Sequence, residues 1–436
     1  RALHFGVDAF RCYAKKTQGQ AGHMFYAFLP FASAFLARAT PRVSHILSKS
    51  FVLRSNRSKI QRRTTFAMGE AKSTKWSYFS KSPLIFYQND EMIEEIFKRC
   101  PILSENYRPS PFLYNGHLQT IFAALFRRNP DVQYDREYVP TSDGGEIALD
   151  YLQTSTLPAD APILILLHGL TGGSHDAYIK YMVLDAHKAG FRPIAFNSRG
   201  CAGVSLKTPQ FYSASFTGDI RTAIIHIHHR FPQASLTAVG WSLGANILLR
   251  YVGEEGDKCL LAAAVSLANP FDLTISSAMF ERFWQRNIYD KRLASNMFTM
   301  LSQHAHLFTA NTEKGYEIEK ALQSRTVREF DDAITRKTFG WDSVDAYYAG
   351  SSSSLSIPLI RIPTLCINAL DDPIAPKEAI PYAACKENKR VILATTTYGG
   401  HCAWCEGLDP FGASVWVDSA VVQFCRAAID LDNGHL

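Results

Sequence analysis

The sequence predicts an α/β fold in which a mostly parallel central sheet carries helices on both faces. Two observations lead to this class. Short apolar segments of strand length alternate with longer segments of helical periodicity along most of the chain, and repeated strand–helix units build a parallel sheet covered by helices. Several strand segments, such as 163–167, are also continuously apolar, which is typical of strands buried on both faces.

The elements follow in order along the chain. Strands are predicted over 163–167, 192–197, 236–240, 261–268, 363–369 and 390–396, and helices over 176–188, 217–230, 243–252, 376–385 and 414–429. Two further strands near 137–140 and 146–153 flank Asp143-Gly144-Gly145, which is a hairpin turn signal. We place this hairpin at the edge of the sheet.

Two segments stand apart from this alternation. Residues 76–130 read as irregular segments and short helices that precede the sheet, and residues from about 270 to 360 have a mostly helical pattern. A helical insertion between two strands predicts a cap over the active site. The run Ser351–Ser354 reads as a loop leaving that cap. One domain that includes both segments is predicted over 76–430.

The basic charge is concentrated at the N-terminus. Residues 1–67 hold twelve Lys/Arg and one acid, a net charge of +11, so the other residues carry −5 of the total of +6. The body therefore gives no electrostatic reason to expect a nucleic-acid partner. Residues 1–75 read as a basic, disordered tail or an organelle transit peptide. This favours a plastid or other organelle, with cytoplasm or membrane association as alternatives.

A candidate nucleophile lies in the pentapeptide Gly240-Trp241-Ser242-Leu243-Gly244, which fits G-x-S-x-G. It follows an apolar strand and precedes an apolar helix, and a strand-to-helix turn this sharp needs glycines because the backbone approaches itself closely. The turn would raise Ser242 Oγ to the carboxyl edge of the sheet. The alternative is a serine that only caps the helix.

A serine hydroxyl needs a base to take its proton, and the base needs a group that orients it. On such turns the acid and the histidine follow the serine in chain order. His401 comes in a loop after the last strand and is the predicted base. The acid should follow strand 363–369, where Asp371 and Asp372 are both candidates.

The tetrahedral intermediate of an acyl transfer needs N–H donors for its oxyanion. The backbone of Leu243, directly after the serine, is one predicted donor, and Leu170 in the loop after strand 163–167 is the other. Two further patterns predict no metal or redox site. His226, His228 and His229 offer at most two ligands from one helix face, and Cys402 and Cys405 lack a second cysteine pair.

Six segments carry a resemblance to a known family: NGHLQT (115–120), HGLTGGS (168–174), NSRGCAG (197–203), GWSLGAN (240–246), ALDDP (369–373) and YGGHCAW (398–404). On these the chain resembles the YheT-type, embryogenesis-associated branch of the α/β-hydrolases, which includes α/β-hydrolase domain-containing esterases and phospholipases. Members of that superfamily usually show Asp-x-x-x-Pro after this strand, which favours Asp372, with Pro376, over Asp371. The resemblance implies a Ser242–Asp372–His401 triad, ester substrates with acyl chains, and no cofactor or metal.

The predicted function is therefore hydrolysis of carboxylic esters, with a lipid or other small acyl ester as the substrate. Two alternatives stay open: acyl transfer to an alcohol through the same acyl-enzyme, and a non-catalytic ligand-binding protein on the same scaffold. Some relatives are anchored in membranes near the N-terminus. The apolar run Phe25–Ala37 is shorter than the ~20 residues of a membrane span, so peripheral membrane contact is left open.

Overall fold

A nine-stranded sheet forms the centre of the computed structural model, which describes residues 80–436 except 154–155, 413–414, 433 and 435–436. The strands are β1 Leu84–Phe86, β2 Tyr134–Pro140, β3 Glu146–Leu152, β4 Ile163–Leu167, β5 Arg192–Asn197, β6 Leu236–Trp241, β7 Leu261–Leu267, β8 Thr364–Ala369 and β9 Val391–Thr396. Their order across the sheet is β1-β9-β8-β7-β6-β4-β5-β3-β2. The pairs from β9 to β5 are parallel, and antiparallel pairs lie only at the two edges. The predicted fold class is confirmed.

Thirteen α-helices accompany these strands in the described part of the chain. They are α1 Glu91–Lys98, α2 Gly116–Leu125, α3 Ala177–Lys188, α4 Gly218–Arg230, α5 Leu243–Glu255, α6 Leu273–Phe280, α7 Lys291–Thr309, α8 Ile318–Leu322, α9 Val327–Phe330, α10 Arg336–Thr338, α11 Val344–Ser351, α12 Tyr382–Glu387 and α13 Trp416–Asp432. Within this part, none of the helices combines the length and apolarity needed to span a lipid bilayer.

The sheet is buried on both faces, as its continuously apolar strands predict. Side chains alternate along β4: Ile163 and Ile165 pack in one core cluster, and Leu164 and Leu166 pack in another on the opposite face. Helices α4 and α5 contribute to the first cluster, and α3 and α13 contribute to the second. The carboxyl ends of the parallel strands therefore project from a rigid, two-sided core.

The segment between β7 and β8 contains α6 to α11 and two π-helical turns, Gln285–Asp290 and Asp331–Thr335. One expectation here is wrong. The run 351–354 is not an open loop, because Ser351 ends α11 and a 3-10 helix, Ser353–Leu359, begins almost at once. Asn246 of α5 buries this join by donating to the Ser351 carbonyl and accepting from the Ser353 N–H.

Two other elements differ from the sequence prediction. Leu84–Phe86 forms β1 and pairs antiparallel with β9, whereas the sequence indicated only irregular segments and short helices before the hairpin. The single helix predicted over 376–385 is instead a 3-10 turn, Lys377–Ala379, followed by α12, because Pro381 lies between them. The predicted basic tail, residues 1–75, lies outside the described residues.

Candidate active site

Ser242 stands on a strained turn between β6 and α5. Its φ of 53° and ψ of −117° lie in the left-handed half of backbone space, which non-glycine residues adopt only when the surroundings enforce it. The Ser242 N–H donates to the Leu267 carbonyl of β7 over 2.9 Å. The turn is thus tied to the neighbouring strand, and the serine projects from the carboxyl end of the sheet.

The flanking glycines are required by close backbone contacts. A Cβ on Gly240 would lie 2.5 Å from the Gly244 carbonyl oxygen. A Cβ on Gly244 would lie 2.5 Å from the carbonyl oxygens of both Leu167 and His168 at the end of β4. The spacing of the two glycines in the sequence therefore reflects a steric requirement of this turn.

Three predicted side chains meet at this edge of the sheet. His401 Nε2 is 2.8 Å from Ser242 Oγ, and His401 Nδ1 is 2.8 Å from Asp372 Oδ2. His401 follows β9 through Gly399 and Gly400, and Asp372 follows β8. The Asp372 side chain is fully buried, and its other oxygen accepts the N–H groups of two residues in its own turn, Ile374 and Ala375. The carboxylate is therefore fixed in position independently of the imidazole.

Asp371 occupies a different position. Its carboxylate accepts the N–H of Gly400 over 2.9 Å, whereas the imidazole of His401 contacts the carboxylate of Asp372. Burial, together with the charge of Asp372, raises the pKa of Asp371 to about 6. Of the two acids that the sequence left as candidates, the structure brings Asp372 to the histidine and uses Asp371 to hold the histidine loop.

Burial and the neighbouring side chains act in opposite directions on the pKa of His401. Burial is the largest single effect and would lower the pKa of the imidazole, because a charged ring is poorly solvated there. The charge and hydrogen bond of Asp372, together with the adjacent Cys402, raise it, and the pKa of His401 ends well above its ordinary value of 6.5. The site thus stabilises a protonated imidazole.

A residue that the sequence analysis missed holds the His401 backbone. Thr120 Oγ1 in α2 accepts the His401 N–H over 2.8 Å. At the start of the same helix, Gly116 lies so close to Asp371 that a Cβ would be 1.8 Å from its carbonyl oxygen. The hexapeptide 115–120 therefore packs directly on the loops that carry the acid and the histidine. The resemblance marked this hexapeptide, but nothing in its pattern indicated the contact.

The loop after β4 borders the serine on its other side. A Cβ on Gly169 would lie 3.4 Å from the Ser242 Cβ. Two tyrosines hold the loop: the Gly169 N–H donates to Tyr178 Oη over 3.0 Å, and the Thr171 N–H donates to Tyr212 Oη. The hydroxyls thus fix the residues on either side of Leu170.

His168, at the start of this loop, is a structural residue. It is 3% exposed, and its two ring nitrogens contact the Gly169 carbonyl and the Ser198 N–H. Burial lowers the pKa of His168, so a neutral ring with its proton on Nδ1 satisfies both contacts.

The insertion covers this site through two polar contacts. Tyr289 Oη is 2.8 Å from His117 Nδ1 of α2, and the two rings stack with centroids 5.7 Å apart. Asn296 of α7 donates to Thr171 Oγ1 over 3.1 Å. The insertion therefore contacts both the helix that holds His401 and the loop that contains Leu170.

The structure also describes the histidine and cysteine patterns noted in the sequence. His226 Nε2 is 3.0 Å from a Glu137 carboxylate oxygen of the edge strand β2. Cys402 and Cys405 are free thiols, and burial raises the pKa of Cys405 to about 12. In the described ranges, no group of three or more His, Cys, Asp or Glu side chains is placed to hold a metal ion.

Comparison with known proteins identifies the family of the chain. A family model described as the alpha/beta hydrolase fold matches residues 162–403. The chain is 45% identical to embryogenesis-associated protein EMB8 of Picea glauca, over 76% of this chain and 74% of that protein. It is 33% identical to phospholipase ABHD3 of Homo sapiens, over 82% and 87%, and 36% identical to monoacylglycerol lipase of Saccharomyces cerevisiae, over 67% of each.

The matched family model covers more than half of the chain, and the resemblance stated from the six sequence segments is confirmed. The chain belongs to the α/β-hydrolase fold family, in the branch that contains EMB8 and the ABHD3 phospholipases.

Proposed function

We propose that this protein is a serine hydrolase that cleaves carboxylic esters, with lipid or other acyl esters as its substrates. The observation that carries the proposal is the continuous series of contacts from Ser242 through His401 to Asp372, each 2.8 Å long. In this arrangement the imidazole can take the proton of the hydroxyl, and the buried carboxylate orients the imidazole and stabilises its charged form.

In this mechanism Ser242 Oγ attacks the ester carbonyl while His401 Nε2 takes its proton. Asp372 accepts the Nδ1–H, which fixes the tautomer and stabilises the imidazolium that forms. His401 then protonates the leaving alcohol, and an acyl-enzyme on Ser242 remains. Water, deprotonated by the same imidazole, attacks this acyl-enzyme and releases the acid.

The negative charge on the tetrahedral intermediate needs donors that are fixed before the reaction begins. We assign this role to the backbone N–H groups of Leu243, at the start of α5, and Leu170. Both residues are partly buried beside the main core cluster. The hydrogen bonds on either side of Leu170, to Tyr178 and Tyr212, support the assignment because they restrict the loop around it.

Two observations support an acyl or lipid substrate. The relatives at 33% and 36% identity are named phospholipase and monoacylglycerol lipase. Helix α7 contacts the loop that contains Leu170 through Asn296, and Met297, Met300 and Phe308 of the same helix are buried in the main core cluster. Apolar side chains on an element that adjoins the site favour substrates with hydrocarbon chains.

The test is active-site labelling. A fluorophosphonate probe should label the protein, and Ser242→Ala should abolish both the labelling and the hydrolysis of nitrophenyl esters of graded chain length. Ser302→Ala, on the exposed side of α7, is the matched control and should label normally. An unlabelled parent protein, or labelling that survives in Ser242→Ala, would refute the assignment. Added alcohol would show whether the acyl group also passes to an acceptor other than water.

A further inference from the structure

One segment of the insertion, residues 275–298, exposes large apolar side chains. Phe283 is 68% exposed, and Ile275, Trp284 and Phe298 are each between 36% and 39% exposed. They lie on α6, on the short connection after it and on α7, and the π-helical turn 285–290 packs against both helices. Single exposed apolar side chains are common on protein surfaces, but several in one segment indicate an interaction site.

Basic side chains are interspersed with these apolar ones. Arg282, Arg286, Lys291 and Arg292 are all exposed, whereas of the two acids in residues 275–298 only Glu281 is exposed and Asp290 is buried. This contrasts with residues 68–436 as a whole, whose 34 basic and 39 acidic side chains give a net charge of −5. We call Ile275, Arg282, Phe283, Trp284, Arg286 and Phe298 the outer cap surface.

The inner side of the same segment reaches the candidate active site. Tyr289, between Arg286 and Phe298 in sequence, contacts His117 over 2.8 Å, and Asn296 contacts Thr171 over 3.1 Å. The segment that carries the outer cap surface therefore also contacts residues beside the candidate active site.

We propose that the outer cap surface binds the interface of a phospholipid bilayer that contains anionic lipids, so that ester substrates enter the site from the membrane. Aromatic side chains favour the interfacial region, and arginines favour anionic headgroups. The combination fits a lipid surface better than an apolar protein partner, which would not need the cations. The delivery of ester substrates from the membrane rests on the proposed function. Membrane binding itself does not, because it needs no turnover.

The experiment measures tryptophan quenching by brominated acyl chains, in the full chain carrying Ser242→Ala so that no lipid is consumed. Vesicles of phosphatidylcholine, with and without phosphatidylglycerol, are used. Part of the fluorescence should be lost on brominated vesicles, and Trp284→Phe should remove that part. This readout separates docking through the cap from binding through the basic N-terminal residues, because only docking places Trp284 among the lipid chains.

Affinity measurements complete the test. Phe283→Ala should weaken vesicle binding severalfold, whereas Leu359→Ala, an exposed apolar residue outside this surface, should not change it. Arg282→Gln and Arg286→Gln should each weaken binding to anionic vesicles about fivefold. If the protein sediments with the vesicles but Trp284 is not quenched, or if it does not bind vesicles at all, the proposal is wrong. If the protein docks on vesicles but the parent enzyme hydrolyses no ester, the membrane proposal is supported and the proposed function is wrong.

Discussion

The backbone N–H of His401 donates to the side-chain oxygen of Thr120, and that hydroxyl in turn donates to the Gly116 carbonyl over 2.7 Å. The histidine loop is therefore held by a helix that precedes strands β2 to β9 in the chain. Because a catalytic imidazole must be placed accurately to act on its serine, α2 is part of the scaffold of the proposed site.

Replacing Thr120 by valine should lower kcat more than it changes KM. Valine keeps the shape but removes the acceptor, which leaves the buried His401 N–H without its partner and lets the loop shift. A misplacement of this kind costs roughly ten- to a hundredfold in rate. Thr120→Ser restores the oxygen and should recover most of the loss. Steady-state kinetics on one soluble ester would measure all three proteins.

Thr222 provides the matched control for this prediction. In α4 its hydroxyl makes the same bond to a carbonyl four residues earlier, Gly218, but it does not contact the site. Thr222→Val should therefore leave kcat unchanged. Equal losses in both valine variants would mean that Thr120 contributes only to helix stability.

The pH dependence should follow His401. The imidazole must be neutral to accept the serine proton, and its pKa is raised well above 6.5, so kcat/KM should fall as the pH drops through that raised value. Stability runs in the opposite direction: the protonated imidazole paired with Asp372 stabilises the folded state at low pH, and this contribution is lost as the pH rises through the folded-state pKa.

Asp372→Asn tests the cause of that shift. With the charge gone, burial is the largest effect left on the imidazole, so the acid limb should move to lower pH, and kcat should fall by about 10⁴ because the tautomer is no longer fixed. Asp371→Asn is the companion variant, and we expect its rate to stay within about fivefold because that carboxylate bonds to Gly400 instead. The reverse ranking would exchange the roles of the two acids. The measurement is a pH–rate profile for each variant.

Tyr212→Phe should slow the reaction without weakening substrate binding. The substitution leaves the Thr171 N–H without the hydroxyl that accepts it, which frees the loop around Leu170. An oxyanion donor contributes about 10²–10³ to turnover, so partial loosening should cost roughly tenfold. Affinity for a trifluoromethyl ketone should fall in parallel with kcat. Tyr138→Phe, half exposed on β2, should change neither, and a kcat that stays constant in Tyr212→Phe would contradict the assigned role.

The parts of the fold that local pattern determines were predictable. A run such as Ile163–Leu167 records burial on both faces directly in its composition. β1 was not predictable, because three residues carry no periodicity and Leu84–Phe86 becomes a strand only by pairing with β9, some three hundred positions later. Pro381 is a different case. The sequence carried its helix-breaking signal, but the apolar pattern around it favoured a single helix over 376–385.

The site residues likewise fall into those that a local pattern predicts and those that depend on distant contacts. Ser242 and His401 were predictable because a strained turn needs glycines and because chain order restricts the base. Thr120 and Tyr212 act through hydroxyls that accept backbone N–H groups from distant loops. A lone threonine or tyrosine has no sequence pattern that reveals such a partner, so residues that support the site could be found only from the structure.

Substituting two glycines by alanine should distinguish the cost of a steric clash from the cost of a strained backbone conformation. Gly244→Ala would place a Cβ 2.5 Å from two carbonyl oxygens at the end of β4. These are backbone atoms, so they cannot move aside as a flexible side chain could. We expect a loss of about 3 kcal/mol or more in the free energy of unfolding, together with loss of fluorophosphonate labelling. Gly256→Ala meets no atom within 4 Å but keeps a φ of 52° and a ψ of −124°, a strained backbone conformation that costs an alanine about 1–3 kcal/mol, so its loss should be the smaller of the two. Urea unfolding of both variants checks the ranking, and a Gly244→Ala protein as stable as Gly256→Ala would show that the turn beneath Ser242 is looser than this packing indicates.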